Sequence, residues 1–121
     1  MRRIETVLLC AAMLILLTTG SEALADDAAL AKGKASYTTF CVMCHGETGD
    51  GKGAMASALD PGPRDFTTGD FKYGGTDQDI FDVISNGAAS KGGSPLMAAW
   101  GAVISEEDRW AIVKYVRTLK K

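Results

Sequence analysis

The chain has 121 residues, 46% hydrophobic and 23% charged, with 13 Lys and Arg against 15 Asp and Glu for a net charge of −2. A chain of this length forms one domain with a small core. Its near-balanced charge offers no basic patch for nucleic acid and none for an anionic membrane surface, so neither is expected as a partner.

In chain order, the first segment reads as an address. Arg2 and Arg3 are a short positive start, residues 7–17 are an unbroken apolar run of 11, and Ala23-Leu24-Ala25 is a small-x-small site. This is the pattern of a secretory signal peptide cleaved after Ala25. The run is well short of the roughly 20 residues of a membrane-spanning helix, which leaves a retained anchor as the lesser alternative. Cys10 lies inside it and reads as a small apolar residue, not a lipid anchor. Cleavage leaves residues 26–121, 96 in all, and removes Arg2, Arg3, Glu5 and Glu22, so the net charge stays at −2.

A first helix is predicted to start at Asp26 and Asp27, ahead of Ala28-Ala29-Leu30-Ala31, and to run toward Cys41. Leu30, Lys34, Tyr37 and Cys41 recur at helical spacing. Gly33 among them costs about 1 kcal/mol relative to Ala, which implies close approach by another backbone.

Next comes Cys41-Val42-Met43-Cys44-His45. Two thiols three positions apart, followed at once by an imidazole, form the attachment pattern of a c-type haem. On one helical turn each thiol reaches one vinyl group of a porphyrin, and the adjacent His becomes the proximal iron ligand. A zinc site would need four ligands, and His45 is the only histidine. A thioredoxin-like pair needs a preceding strand that is not visible here. A Cys41–Cys44 disulfide would leave the contiguous His unexplained.

Residues 46–53 carry four glycines, and residues 60–70 carry Pro61 and Pro63, so neither stretch is helix interior. Loops this long suit irregular chain wrapped around the edge of a flat disc. A second helix is predicted over Asp77–Asn86, with Thr76 and Asp79 at capping-box spacing, Ile80, Phe81, Val83 and Ile84 as its apolar face, and Gly87 as its stop. The third follows Ser105-Glu106-Glu107-Asp108 and ends in Arg117, Lys120 and Lys121, which complement the dipole. Trp110, Val113, Val116 and Leu119, with Tyr115 beside them, are predicted to face inward. With no period-2 run, the fold reads as all-α: three main helices and long loops around one haem.

With a single histidine, bis-His ligation within the chain is excluded, and a Met thioether becomes the expected sixth ligand. Met43 sits between the cysteines and points away from the distal side. Met55 follows the glycine loop and reads as filler. Met97, in the helix-breaking segment Gly92-Gly93-Ser94-Pro95-Leu96-Met97-Ala98-Ala99-Trp100, is the preferred candidate.

Residues 26–121 resemble a small bacterial monohaem class I cytochrome c. The resemblance rests on Gly33-Lys34-x-x-Tyr37, Cys41-x-x-Cys44-His45-Gly46, Gly49-Asp50-Gly51-Lys52-Gly53, the segment around Met97 and Trp100, and Glu107-Asp108-Arg109-Trp110 to Tyr115. It implies a cytochrome c fold in which the first and last helices cross, with Gly33 and Tyr37 against Tyr115. A backbone carbonyl from residues 61–63 is expected to accept the free His45 N–H. Arg64 either meets a haem propionate or is a solvated Arg after a turn. Trp100 either packs on the haem, bonds a propionate or serves only as core. One departure is Ala98, where many relatives have Pro after the axial Met.

The resemblance also implies haem attachment outside the cytoplasm, hence a periplasmic electron-transfer protein and not an enzyme. It would carry one electron on a covalent, iron-containing haem c held by Cys41, Cys44, His45 and Met97. Its expected partners are transient respiratory redox proteins, met as a monomer through interfaces below roughly 1,200 Å². The rival expectations are a haem subunit of a larger complex, or a sensor or peroxidase-like domain with a labile sixth ligand.

Overall fold

A computed structural model describes the backbone of residues 2–121 and the side chains of residues 20–121. In chain order it contains α1 (Arg2–Phe40), α2 (Val42–His45), α3 (Asp77–Asn86) and α4 (Glu106–Arg117), with 3₁₀ turns at Ala56–Ala58 and Ala88–Lys91. Among the described residues there is no strand, as the sequence predicted. The helix expected to begin near Asp26 instead continues unbroken from Arg2, because the apolar run ahead of it consists largely of Leu, Ala and Met, which are themselves good helix formers. Cys10 and the apolar run have side chains outside the described residues.

The crossing of α1 and α4 organises the fold. A Cβ on Gly33 would overlap the Ala111 carbonyl, standing 2.6 Å from its carbon, and would lie 3.0 Å from Tyr115 Cβ. Only a residue without a side chain lets the two backbones meet there. One turn on, Tyr37 is 1% exposed, packs its ring 5.2 Å from that of Tyr115, and donates its hydroxyl to Gly46 O at 2.8 Å. The crossing is thereby tied to the chain just after the haem motif. Lys32 pairs with Glu107 and Asp108 at 2.9 Å each, and Lys114 pairs with Asp26. Such exposed pairs contribute little beside the packing.

The inward face of α4 holds the predicted Val113 and Val116 but departs from the prediction at Trp110. Ala111, Ile112, Val113 and Val116 are buried, whereas Trp110 is 36% exposed and stacks on Phe81 of α3 with centroids 4.1 Å apart. The contact of Ala111 with Gly33 sets the rotation of α4, and this turns Trp110 to the rim. The Arg109 guanidinium also lies over Phe81, 4.8 Å from its centroid.

α3 begins as predicted. Thr76 Oγ1 accepts from Asp79 N at 3.1 Å, and Asp79 Oδ2 accepts from Thr76 N at 3.0 Å, a complete capping box. Thr76→Ala should cost about 1 kcal/mol in denaturant unfolding near neutral pH. The hydrogen bonds from Thr76 hold the Asp79 carboxyl below its ordinary value of 3.8. A depressed carboxylate stabilises above its unfolded pKa and loses that contribution as pH falls through its folded pKa. The deficit of Thr76→Ala should therefore shrink in acid, and a pH-independent deficit would contradict the cap.

The core is thin: Tyr37, Ile80, Ile84, Ile104, Ile112, Val113 and Val116 form its buried cluster. Several of these side chains, Tyr37, Ile80, Ile84, Ile112 and Val116, also border one partly open cavity. The packing is arranged around a space that the chain itself does not fill.

Candidate haem site

The site is built on the shortest helix. Cys41 caps α2, and His45 N–H and Cys44 N–H both bond to Cys41 O, at 2.9 and 3.2 Å. One turn thus places Cys41, Cys44 and His45 on one face, because residues three and four apart are helical neighbours. A four-residue helix leaves its carbonyls without partners. The glycine-rich loop supplies them. Gly46 N–H bonds to Val42 O at 2.9 Å, Met55 N–H to Met43 O at 2.9 Å, Gly53 N–H to Cys44 O at 3.1 Å and Gly51 N–H to His45 O at 2.9 Å.

His45 is half-buried and held on two sides. Its Nδ1 donates to Arg64 O at 3.2 Å, and the Phe66 ring stacks on it at 4.5 Å and 18°. The acceptor is Arg64, one residue beyond the expected 61–63 stretch. A proton on Nδ1 leaves Nε2 as the lone-pair nitrogen. Burial lowers the His45 pKa, with the Arg64 carbonyl opposing it, so the ring is neutral at pH 7. Burial also pushes the Cys41 thiol up to about 12, with Cys44 adding to the effect. Cys41 and Cys44 are both free, which removes the disulfide reading. Among the described residues no three His, Cys, Asp or Glu side chains converge as a metal cluster.

These groups open onto a cavity of about 470 Å³, a volume ordinary for a cofactor site. Cys41, Cys44 and His45 form one part of its lining, the 61–66 loop another, and Met97 and Trp100 a third. Met97 is half-buried, whereas Met43 and Met55 are 57% and 47% exposed and do not line the cavity. The Trp100 ring lies 5.4 Å from that of Phe40 on α1, and the Trp100 backbone N–H donates to Ile84 O of α3 at 2.9 Å, so the residue packs the wall between these two elements. Arg64 borders the cavity with its guanidinium turned to Asp70, Nη2 to Oδ2 at 2.6 Å and Nε to the Asp70 carbonyl at 2.7 Å.

Phe66 and Phe71 were not anticipated. They stack with centroids 5.9 Å apart and continue the aromatic layer that starts on His45. Their sequence signal was two aromatic residues inside an otherwise polar, proline-bearing loop.

The donor set fits haem c. Two thiols and a neutral imidazole share one helical face, a thioether borders the same apolar cavity, and core residues line the remainder. An all-α domain organised in this way is a class I cytochrome c. Residues 28–116 match the family described as cytochrome c oxidase, cbb3-type, subunit III, and the chain belongs to that family. It is therefore a haem c domain of electron transfer. It is 32% identical over 94 residues to the cbb3-type cytochrome c oxidase subunit CcoP of Azospirillum brasilense, covering 78% of this chain and 30% of that one. To the subunit FixP of Azorhizobium caulinodans it is 35% identical over 94 residues, covering 78% and 28%. The chain thus spans about 30% of the length of the curated relatives it matches. Among solved structures, a chain of the Kuenenia stuttgartiensis reducing HAO-like protein complex is similar with TM-score 0.64 and 33% identity, over 77% of this chain and 44% of that one. Among the described residues no helix is long and apolar enough to cross a membrane.

Proposed function

We propose that this chain is exported to the periplasm, is cleaved after Ala25, and as residues 26–121 shuttles single electrons on one haem c attached through Cys41 and Cys44. His45 and Met97 are its axial ligands in this reading. The observation that carries it is that Met97 borders the cavity onto which Cys41, Cys44 and His45 open, while the exposed Met43 and Met55 do not.

Bound there, haem c supplies reversible one-electron iron chemistry. The chain's own part is to orient, shield and tune. The Arg64 carbonyl fixes the His45 tautomer and raises its basicity. The Met97 thioether favours ferrous iron and a higher potential, and the apolar lining works in the same direction by excluding water. The Arg64 guanidinium, with Nε and Nη2 held by Asp70, keeps Nη1 for a propionate. Trp100 closes the wall beside Met97. His45 and Met97 together would hold the iron on both sides and leave no position for substrate, which favours electron transfer over peroxide chemistry or gas sensing.

The partners we assign are redox proteins met transiently by a monomer through small interfaces. A second reading, a haem domain working inside a larger redox assembly, is favoured by the curated relatives being oxidase subunits and by the solved neighbour lying in a complex. Native mass of the purified protein separates the two. Attachment is tested by the double variant Cys41→Ser/Cys44→Ser, which should yield no haem that survives denaturing extraction. An unchanged yield of covalent haem would refute the attachment.

A further inference from the structure

Met97 has to be presented by a loop in which Ala98 follows it, a residue that does not itself restrain the backbone. The backbone supplies another restraint. Gly87, which ends α3, has φ 77° and ψ 163° and donates its N–H to Val83 O at 2.9 Å. That conformation suits glycine and strains any residue with a Cβ. The returning loop lies directly on its bare Cα. A Cβ at Gly87 would stand 2.8 Å from the Met97 carbonyl oxygen and 3.1 Å from Ala99 N. The next residue, Ala88, donates its N–H to the same Met97 oxygen at 3.2 Å, and Met97 N–H bonds to Ser94 O at 3.2 Å. Both backbone polar groups of Met97 are thus held. Farther along, Trp100 and Gly101 donate to Ile84 O and Ser85 O at 2.9 and 3.0 Å, so the loop follows the last carbonyls of α3.

We infer that Gly87 is a positioning residue for the axial thioether. Its missing side chain, together with the Ala88 N–H, fixes the Met97 backbone and hence the reach of its sulfur into the cavity. The inference rests on Met97 being the ligand. A methyl group at position 87 pushes the Met97 carbonyl outward and breaks its bond to Ala88. Thioether ligation then weakens, the potential falls and external ligands gain entry.

Gly101→Ala is the control. Its Cβ would meet Ser85 O at 2.9 Å, a comparable clash in the same loop but away from Met97. In purified ferric holoproteins, Gly87→Ala should lose about half or more of the near-infrared charge-transfer band per haem. It should also bind added imidazole roughly tenfold more tightly, about 1.4 kcal/mol, while Gly101→Ala keeps the band. A full band in Gly87→Ala, or equal loss in both glycine variants, overturns the inference. A band that persists in Met97→Ala overturns the ligand assignment instead, a separate outcome. If Gly87→Ala yields no folded holoprotein, native-state hydrogen exchange on the wild type decides. Ala88 amide protection and the band should be lost at the same denaturant concentration, and early loss of Ala88 protection with the band intact overturns the inference.

Discussion

Met97→Ala should remove the near-infrared band of the ferric holoprotein and lower its reduction potential, because a thioether favours ferrous iron and its loss opens the site to water or added ligand. Met55→Ala should leave both unchanged, since Met55 is 47% exposed and lies off the cavity lining. The stability cost at position 97 should be about 2 kcal/mol or more, from a truncated half-buried side chain together with the lost ligand bond. Optical spectra and a potential measured on the two variants side by side decide the matter. Loss of the band in Met55→Ala, with Met97→Ala unaffected, would move the ligand to the glycine loop.

Gly33→Ala is the second large effect, and here the sign alone is informative. Helix propensity by itself predicts that replacing an interior helical glycine by alanine stabilises by about 1 kcal/mol. The contact with Ala111 predicts the opposite, because a Cβ would stand 2.6 Å from its carbonyl carbon and drive α1 away from α4. Overpacking against backbone typically costs about 1–3 kcal/mol, and two crossing helices have little room to yield. Net destabilisation of about 2 kcal/mol is expected in denaturant unfolding of the holoprotein. Gly75→Ala, with nothing within 4 Å of its Cβ, should stay within about 0.5 kcal/mol of wild type. A stabilised Gly33→Ala protein would mean that the crossing is looser than described.

Local signals carried much of this fold. The Thr76–Asp79 cap, the stop at Gly87 and the start of α4 after Ser105 involve residues within a few positions of one another, and each forms as predicted. The attachment motif is legible for the same reason, since one helical turn brings Cys41, Cys44 and His45 together. Gly33 was legible through its cost: a glycine inside a helical pattern needed a reason, and Ala111 is that reason.

Other features set by long-range packing were not readable. The face that α4 buries is fixed by a small residue, Ala111, meeting Gly33, and a hydrophobicity pattern gives more weight to Trp110. The carbonyl that holds His45 belongs to Arg64 because of the path the 61–66 loop takes, and its residue types do not encode that path. The clip from Arg64 to Asp70 closes within the same irregular loop. Stacking of Phe66 on His45 likewise joins a loop to α2, and their relative placement depends on the completed core. Restraint of Met97 by Gly87 and Ala88 is a backbone contact and leaves no side-chain signature.

A redox titration of the purified holoprotein, followed by visible and near-infrared spectra, tests the central claim most directly. The expected result is a single one-electron transition between low-spin states, with the near-infrared band of Met ligation in the ferric form and no rapid carbon monoxide binding in the ferrous form. A high-spin ferric spectrum lacking that band, or a ferrous form that takes up carbon monoxide at once, would contradict a haem closed by His45 and Met97.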